Sequence, residues 1–229
     1  MTSADAVYKE ILEGALCGEP VEARSARCRL LGYAEVAFRS FPLVCLRRTA
    51  WRTALRELEW FLSGSTALAD AHPQVRPWWA PWGDGVGYGR FARQLHEGAF
   101  SVWDPSGPLP PCTYTGFVAC VHRGELCCDM YQRSCDAVCG LPHDWAQLWA
   151  YCKWLAMLRE VPLGEVRWRS PNVHLYEAHL PLACAVVAQE PQRSPGLVHH
   201  PSGDAFKADD FELNGPYCPR LNTTAELVA

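Results

Sequence analysis

The chain has 229 residues, 49% hydrophobic and 20% charged, with 21 basic against 25 acidic side chains and a net charge of -4. That length suits one sizeable core and a single domain spanning residues 1–229. The slight acidic excess excludes a nucleic-acid polymer or an anionic membrane as partner, because both require a basic surface.

No apolar run reaches the roughly 20 residues of a membrane span, and residues 1–10 lack the basic-then-apolar order of a signal peptide. A cytoplasmic location is expected. The 12 cysteines are then expected as reduced thiols rather than a disulfide framework. Cys127-Cys128 and Cys135-x-x-x-Cys139 offer no paired C-x-x-C knuckles, so no metal site is expected.

Tyr8, Ile11, Leu12 and Ala15 recur at helical spacing behind Ser3 or Asp5 as cap, predicting an opening helix. Residues 18–29 are polar and aperiodic and read as a loop. Thr49 is the expected cap of a second helix with Ala54, Leu55, Leu58, Phe61 and Leu62 on its apolar face, ended by Ser63-Gly64-Ser65. The segment 72–89 is too broken by Pro and Gly for a helix and too aromatic for a solvated linker, so an ordered, packed loop is predicted. Residues 117–131 read as a hairpin with Leu126, Cys128 and Met130 on one face. A third helix follows Gly140-Leu141-Pro142, with Trp145, Leu148, Trp149, Cys152 and Ala156 on one side. Two short strands, 165–169 and 172–176, an apolar helix over about 179–188 and a loop over 190–205 complete the order. Helices and strands mix without βαβ alternation, which predicts an α+β or irregular α/β domain.

Cys112 stands after Pro110-Pro111 and, taken alone, reads as one more core cysteine. Downstream come Tyr131-Gln132-Arg133-Ser134-Cys135-Asp136, whose guanidinium fork and polar neighbours suit an anion and a sugar. Gly140-Leu141-Pro142-His143-Asp144 and His174-Leu175-Tyr176 follow. None of these pieces is specific alone; their order and spacing are.

Together with "FPLVCLRR" (41–48), "RELEWFL" (56–62), "SVWDP" (101–105), "MYQRSCD" (130–136), "HLYEAH" (174–179) and "DFELNG" (210–215), they make the chain resemble the thymidylate synthase family, including its hydroxymethylase branch. The resemblance implies a large mixed sheet packed with helices, one sheet face forming a homodimer interface, and a pyrimidine nucleotide and methylenetetrahydrofolate as substrates. By the same resemblance Cys112 is the nucleophile that adds to carbon 6 of the pyrimidine, Glu57 manages protons, and Tyr88 belongs to the same water network. A nearby cation such as Arg133 is expected to help Cys112 ionise. Arg133 matches a phosphate ligand, with Gln132 and Ser134 beside it; His174 and Tyr176 match the sugar-binding pair, and Arg24 or Arg27 is a second phosphate candidate. Asp136, Gly140, Trp79, Trp82 and Arg47 match folate-facing positions, although core packing explains the tryptophans equally well.

Three departures bear on the substrate. Asp144 replaces the Asn of uracil synthases, and a carboxylate suits the amino group of cytosine. Thr113 replaces the His that usually follows the nucleophile. Both lean toward a cytidylate 5-hydroxymethylase, with dCMP favoured over CMP because Ser134 would crowd an added 2′-hydroxyl. Third, the phosphate-gripping arginines of the family stand here as His96-Glu97, and Glu97 would repel a dianion. A methyl-transferring synthase, a uridylate hydroxymethylase and a catalytically silent nucleotide-binding subunit of a heterodimer therefore stay open.

Overall fold

The computed structural model describes residues 3–23, 26–85, 87–106 and 110–225. Helix α1 (Ala4–Leu16) is capped by Ser3, whose Oγ accepts the Ala6 N–H at 3.1 Å, and it buries Tyr8, Ile11, Leu12 and Ala15. Asp5, the other expected cap, has a different task. Fully buried, it accepts from the N–H groups of Cys45 (2.7 Å), Leu46 (3.2 Å) and Gln192 (3.0 Å), so one carboxyl pins two distant segments to α1.

Residues 18–29 are not simply a loop: β1 (Glu19–Glu22) pairs antiparallel with the start of β2 (Arg27–Phe38). Both faces of this ribbon stay largely wet, so backbone pairing holds it and no apolar alternation announces it. Helix α2 (Trp51–Leu62) buries the expected Ala54, Leu55, Leu58 and Phe61 and ends before Gly64, whose φ is +83°. Thr49 does not cap it. The Thr49 hydroxyl donates to the Val44 carbonyl, while the N–H of Ala50, the true N-cap, donates to His143 Nε2 at 3.1 Å.

The aromatic segment is ordered and packed as expected, but it contains a one-turn helix, α3 (Arg76–Trp79). Pro77 is tolerated there because it lies in the first turn, where its missing N–H has no helical partner. A short helix α4 (Ala92–Leu95) and strand β3 (Ala99–Phe100) lead to the hairpin of β4 (Gly116–His122) and β5 (Glu125–Tyr131). Arg123 and Gly124, with φ of +52° and +81°, form its two-residue turn. After β6 (Cys135–Asp136) comes α5 (Leu141–Leu158), which is buried on nearly every side.

The two strands expected at 165–169 and 172–176 are one, β7 (Leu163–Tyr176). Its pairing with β2 slips by a residue between Leu30 and Gly32 and slips back between Gly32 and Ala34, which absorbs Ser170-Pro171 as a bulge without ending the strand. Helix α6 (Leu180–Val187) follows as expected. Within the predicted loop 190–205, β8 (Leu197–His199) pairs with β9 (Phe211–Leu213).

The main sheet runs β1-β2-β7-β5-β4-β3, with β6 also pairing β7. β7 is parallel to β5 and β6 and antiparallel to β2, so the sheet is mixed. Trp145 of α5 and Trp168 of β7 are fully buried between helix and sheet, while Trp154 is buried on the other side of α5 against Phe206 and His96. The opposite sheet face presents Tyr33, Val118 and Tyr131, each more than 40% exposed. Between β5 and β6 the ladder breaks at residues 132–134. There Gln132 N–H bonds to Arg169 O and Arg133 N–H leaves the sheet for Cys112 O. Among the described residues, no helix is long and apolar enough to cross a membrane.

Asp5→Ala would leave the buried N–H groups of Cys45 and Leu46 unpaired, at roughly 1–3 kcal/mol each, and the partly buried one of Gln192 as well. A loss of about 3 kcal/mol or more is expected in urea unfolding, partly recovered in Asp5→Asn, which keeps an acceptor.

Candidate active site

The sheet break brings Cys112 to rest. Pro110 and Pro111 stiffen the approach, and their carbonyls accept from Arg133 Nη2 (3.3 Å) and Nε (3.1 Å), while Cys112 O accepts from Arg133 N–H at 2.8 Å. From the other side the buried Tyr88 hydroxyl accepts the N–H of Cys112 (2.8 Å) and of Thr113 (3.2 Å). With its lone pairs so engaged, the Tyr88 proton is left for Cys112 Sγ, 3.5 Å away. Two residues on, Tyr114 adopts φ +52°, an uncommon conformation for a bulky side chain and one that marks over-determined backbone.

Cys112 is solvent-exposed on one side and enclosed by protein on the others. Its thiol is pushed up, first by lost solvation and then by the Asp144 charge. The Tyr88 hydrogen bond and the Arg133 charge act the other way without prevailing. Arg133 therefore does favour the thiolate, as expected, but the resting group is a thiol.

Two carboxyl groups attend it. Glu57 receives Trp79 Nε1–H at 2.6 Å on Oε1 and Gln147 Nε2–H at 2.9 Å on Oε2. Asp144 receives Gln132 Nε2–H at 2.7 Å on Oδ2. Burial pushes each up to about 7, against the pull of those donors. Asp144 is the fourth residue of α5 and caps nothing; Gly140 is the N-cap, and a Cβ there would lie 3.2 Å from Asp144 Oδ2.

Along β7, Asn172 Nδ2 donates to Ser134 Oγ at 3.1 Å, and the Asn172 carbonyl lies 3.2 Å from His174 Nδ1. A carbonyl only accepts, so Nδ1 carries the proton and Nε2 is left as an acceptor. The rings of His174 and Tyr176 meet edge to face at 5.1 Å. Asp136 Oδ1 accepts from Val138 and Cys139 N–H, shaping the turn that enters α5. Beneath that turn, donor atoms of Asp136, Cys139 and His179 lie within 4.8 Å of one another.

Trp79 is 8% exposed with its N–H committed to Glu57, whereas Trp82 is half-buried beside it, ring centroids 6.0 Å apart. Arg47 is 1% exposed, its guanidinium bonded to Tyr8 Oη, Arg48 O and Val138 O, so it braces the 136–140 turn from within. Gln132, likewise 1% exposed, stands behind Asp144 instead of facing the cleft. Arg24 lies outside the described residues. His96 packs on Trp154, ten residues beyond Asp144 on α5, or roughly 15 Å along the helix.

Gln147, Asn172, His143 and Trp168 were not foreseen. Gln147 had a signal: it is a polar residue on an apolar helix, three positions after Asp144, and it joins Glu57 to the Ala54 carbonyl and the Tyr114 hydroxyl. His143 links the Cys139 carbonyl to the Ala50 N–H, and burial lowers it to about 4, so it stays neutral. Nothing in sequence spacing marks Trp168, which meets Gln132 only across the sheet.

The thymidylate synthase family model matches residues 29–104 and 92–229, a span that holds Cys112, Glu57, Tyr88, Asp144 and the other residues named above except Tyr8 and Arg24. An exposed thiol, two carboxyls near neutrality and an adjoining polar shelf thus stand on a chain that belongs to the thymidylate synthase family, one-carbon transferases that modify pyrimidine nucleotides with methylenetetrahydrofolate.

Proposed function

We propose that the protein hydroxymethylates carbon 5 of a cytosine nucleotide, dCMP in preference to CMP, converting nucleotide, methylenetetrahydrofolate and water to 5-hydroxymethylcytosine nucleotide and tetrahydrofolate. The observation that carries this reading is the Asp144 carboxyl, held by Gln132 with its other oxygen open. An ionised oxygen there accepts from the cytosine amino group, and a protonated one pairs with ring nitrogen 3. Uracil meets the same carboxylate with a carbonyl, leaving two acceptors opposed at about 1–3 kcal/mol.

In this scheme Cys112 gives its proton to a neighbouring base and adds to carbon 6, and the displaced electron pair makes carbon 5 nucleophilic. Tyr88 holds the sulfur and loop in place. Glu57, with a pKa of about 7, takes and returns protons at neutral pH. Methylenetetrahydrofolate supplies a carbon at the oxidation level of formaldehyde. Trp82 and the Asp136 carboxyl fit the flat face and ring N–H donors of its pterin. Carbon 5 takes the transferred carbon, the bond from it to the folate nitrogen breaks as the carbon 5 proton is removed, and tetrahydrofolate leaves; water then adds to the resulting methylene, and the sulfur leaves carbon 6. Arg133 takes the phosphate, His174 and Tyr176 the sugar hydroxyl, and Ser134 crowds a ribose 2′-oxygen.

A second copy belongs on the open sheet face. That face holds a cavity of about 730 Å³ where Asp129, Arg167 and Arg169 alternate with Val118 and Tyr131, a mixed surface that suits self-pairing.

Mass spectrometry of dCMP, CMP, cytidine and dUMP incubated with methylenetetrahydrofolate is expected to find dCMP heavier by CH2O. A gain of CH2, or product from dUMP alone, would overturn the reading, and Cys112→Ser should abolish any product. Trp79→Phe removes a donor that favours ionised Glu57. The Glu57 inflection of the pH–rate profile is therefore expected to move above its starting value of about 7. An unmoved inflection with a raised folate KM would make Trp79 a folate wall instead.

A further inference from the structure

Gln132 is locked. Its Oε1 accepts from Trp168 Nε1 at 2.7 Å, and its Nε2 donates to Ser134 O at 3.2 Å and to Asp144 Oδ2 at 2.7 Å. An indole N–H only donates and a backbone carbonyl only accepts. Turning the amide over would set N–H against N–H and oxygen against two oxygens, so the side chain has a single orientation. Trp168 is equally fixed: it is fully buried, edge to face with Trp145 at 5.8 Å.

Asp144 therefore meets a donor at Oδ2 in every state of the free protein. That oxygen is further enclosed by Cys135 Sγ at 3.9 Å and by Gly140, where a side chain would press on it. Oδ1 has no protein hydrogen-bond partner among the described residues.

We propose that Trp168 and Gln132 are positioning residues that set base selectivity, by committing Asp144 Oδ2 to the Gln132 donor and leaving Oδ1 as the acceptor that faces the base. The inference rests on the cytosine reading above and deepens it. Cytosine and uracil present opposite donor and acceptor order at ring nitrogen 3 and at the position-4 substituent. A carboxyl without that donor keeps a proton it can offer to a uracil carbonyl; with Gln132 donating to Oδ2 the ionised form is favoured, and Oδ1 accepts from the cytosine amino group. The same lock orients an amide at this position, turning its oxygen to Gln132 and its NH2 to where Oδ1 stood, which is why Asp144→Asn should favour a ring carbonyl.

The test compares kcat/KM for dCMP and dUMP in the wild type, Asp144→Asn, Trp168→Phe and Gln132→Leu. With Asp144 intact, Trp168→Phe and Gln132→Leu are each expected to shrink the dCMP-to-dUMP ratio roughly tenfold, the scale of one mispaired polar group. A purely structural role would lower both substrates alike and leave the ratio in place. Gln132→Leu keeps the side-chain volume and the Trp145–Trp168 contact, so the ratio can be read even if Trp168→Phe does not fold. A ratio within twofold of wild type in the folded variants, with Asp144→Asn still shifting it, overturns the lock and spares the cytosine reading. An unshifted ratio in Asp144→Asn overturns both.

Discussion

Two carboxyl groups kept out of water beside one thiol constrain everything around them. Glu57 and Asp144 can be ionised there only if protein donors replace solvent, and each donor must come from a different part of the chain. Trp79 arrives from the aromatic segment, Gln147 from α5 and Gln132 from the break in the sheet. Helices α2 and α5 are clamped together for the same purpose: Gln147 holds the Ala54 carbonyl, and a neutral His143 holds the Ala50 N–H. Each tie that fixes a carboxyl also fixes a segment, so site and fold share their hydrogen bonds.

The arrangement carries a pH cost of defined sign. Both groups are raised from the ordinary carboxylate range to about 7, so the folded state holds these protons more tightly than the unfolded chain does. Their contribution to stability is fully present below about pH 4, falls as pH rises to about 7, and changes no further above that. The Asp144 charge also raises Glu57 and Cys112, so ionisation of one group holds protons on the other two. A protein selected for stability alone would not keep such a cluster.

Much of this was legible beforehand where local periodicity and local chemistry coincide. The apolar stripes of α1, α2 and α6, the hairpin 117–131 and the order of the site segments follow from spacing that tertiary context does not override. What escaped the sequence depends on contacts between distant segments. Ribbon β1–β2 is held by backbone pairing with no apolar face to mark it. Strand β7 runs through Pro171 because its pairing with β2 slips at Gly32 and slips back before Ala34. Thr49 looks like a helix cap, yet its hydroxyl is bonded to Val44, and Asp144 at the start of α5 takes its donor from Gln132 at the sheet break. Arg47 stands in a folate-facing motif but is turned inward by Tyr8 and Val138.

The account turns on Asp144 being protonatable at neutral pH. Isotope-edited infrared difference spectroscopy with carboxyl-labelled aspartate, taking Asp144→Asn as the blank, reads that titration directly. A carboxylate band that grows in near pH 7 and is absent from the variant is the result predicted from its burial. An Asp144 carboxyl already fully ionised at pH 5 would contradict the account.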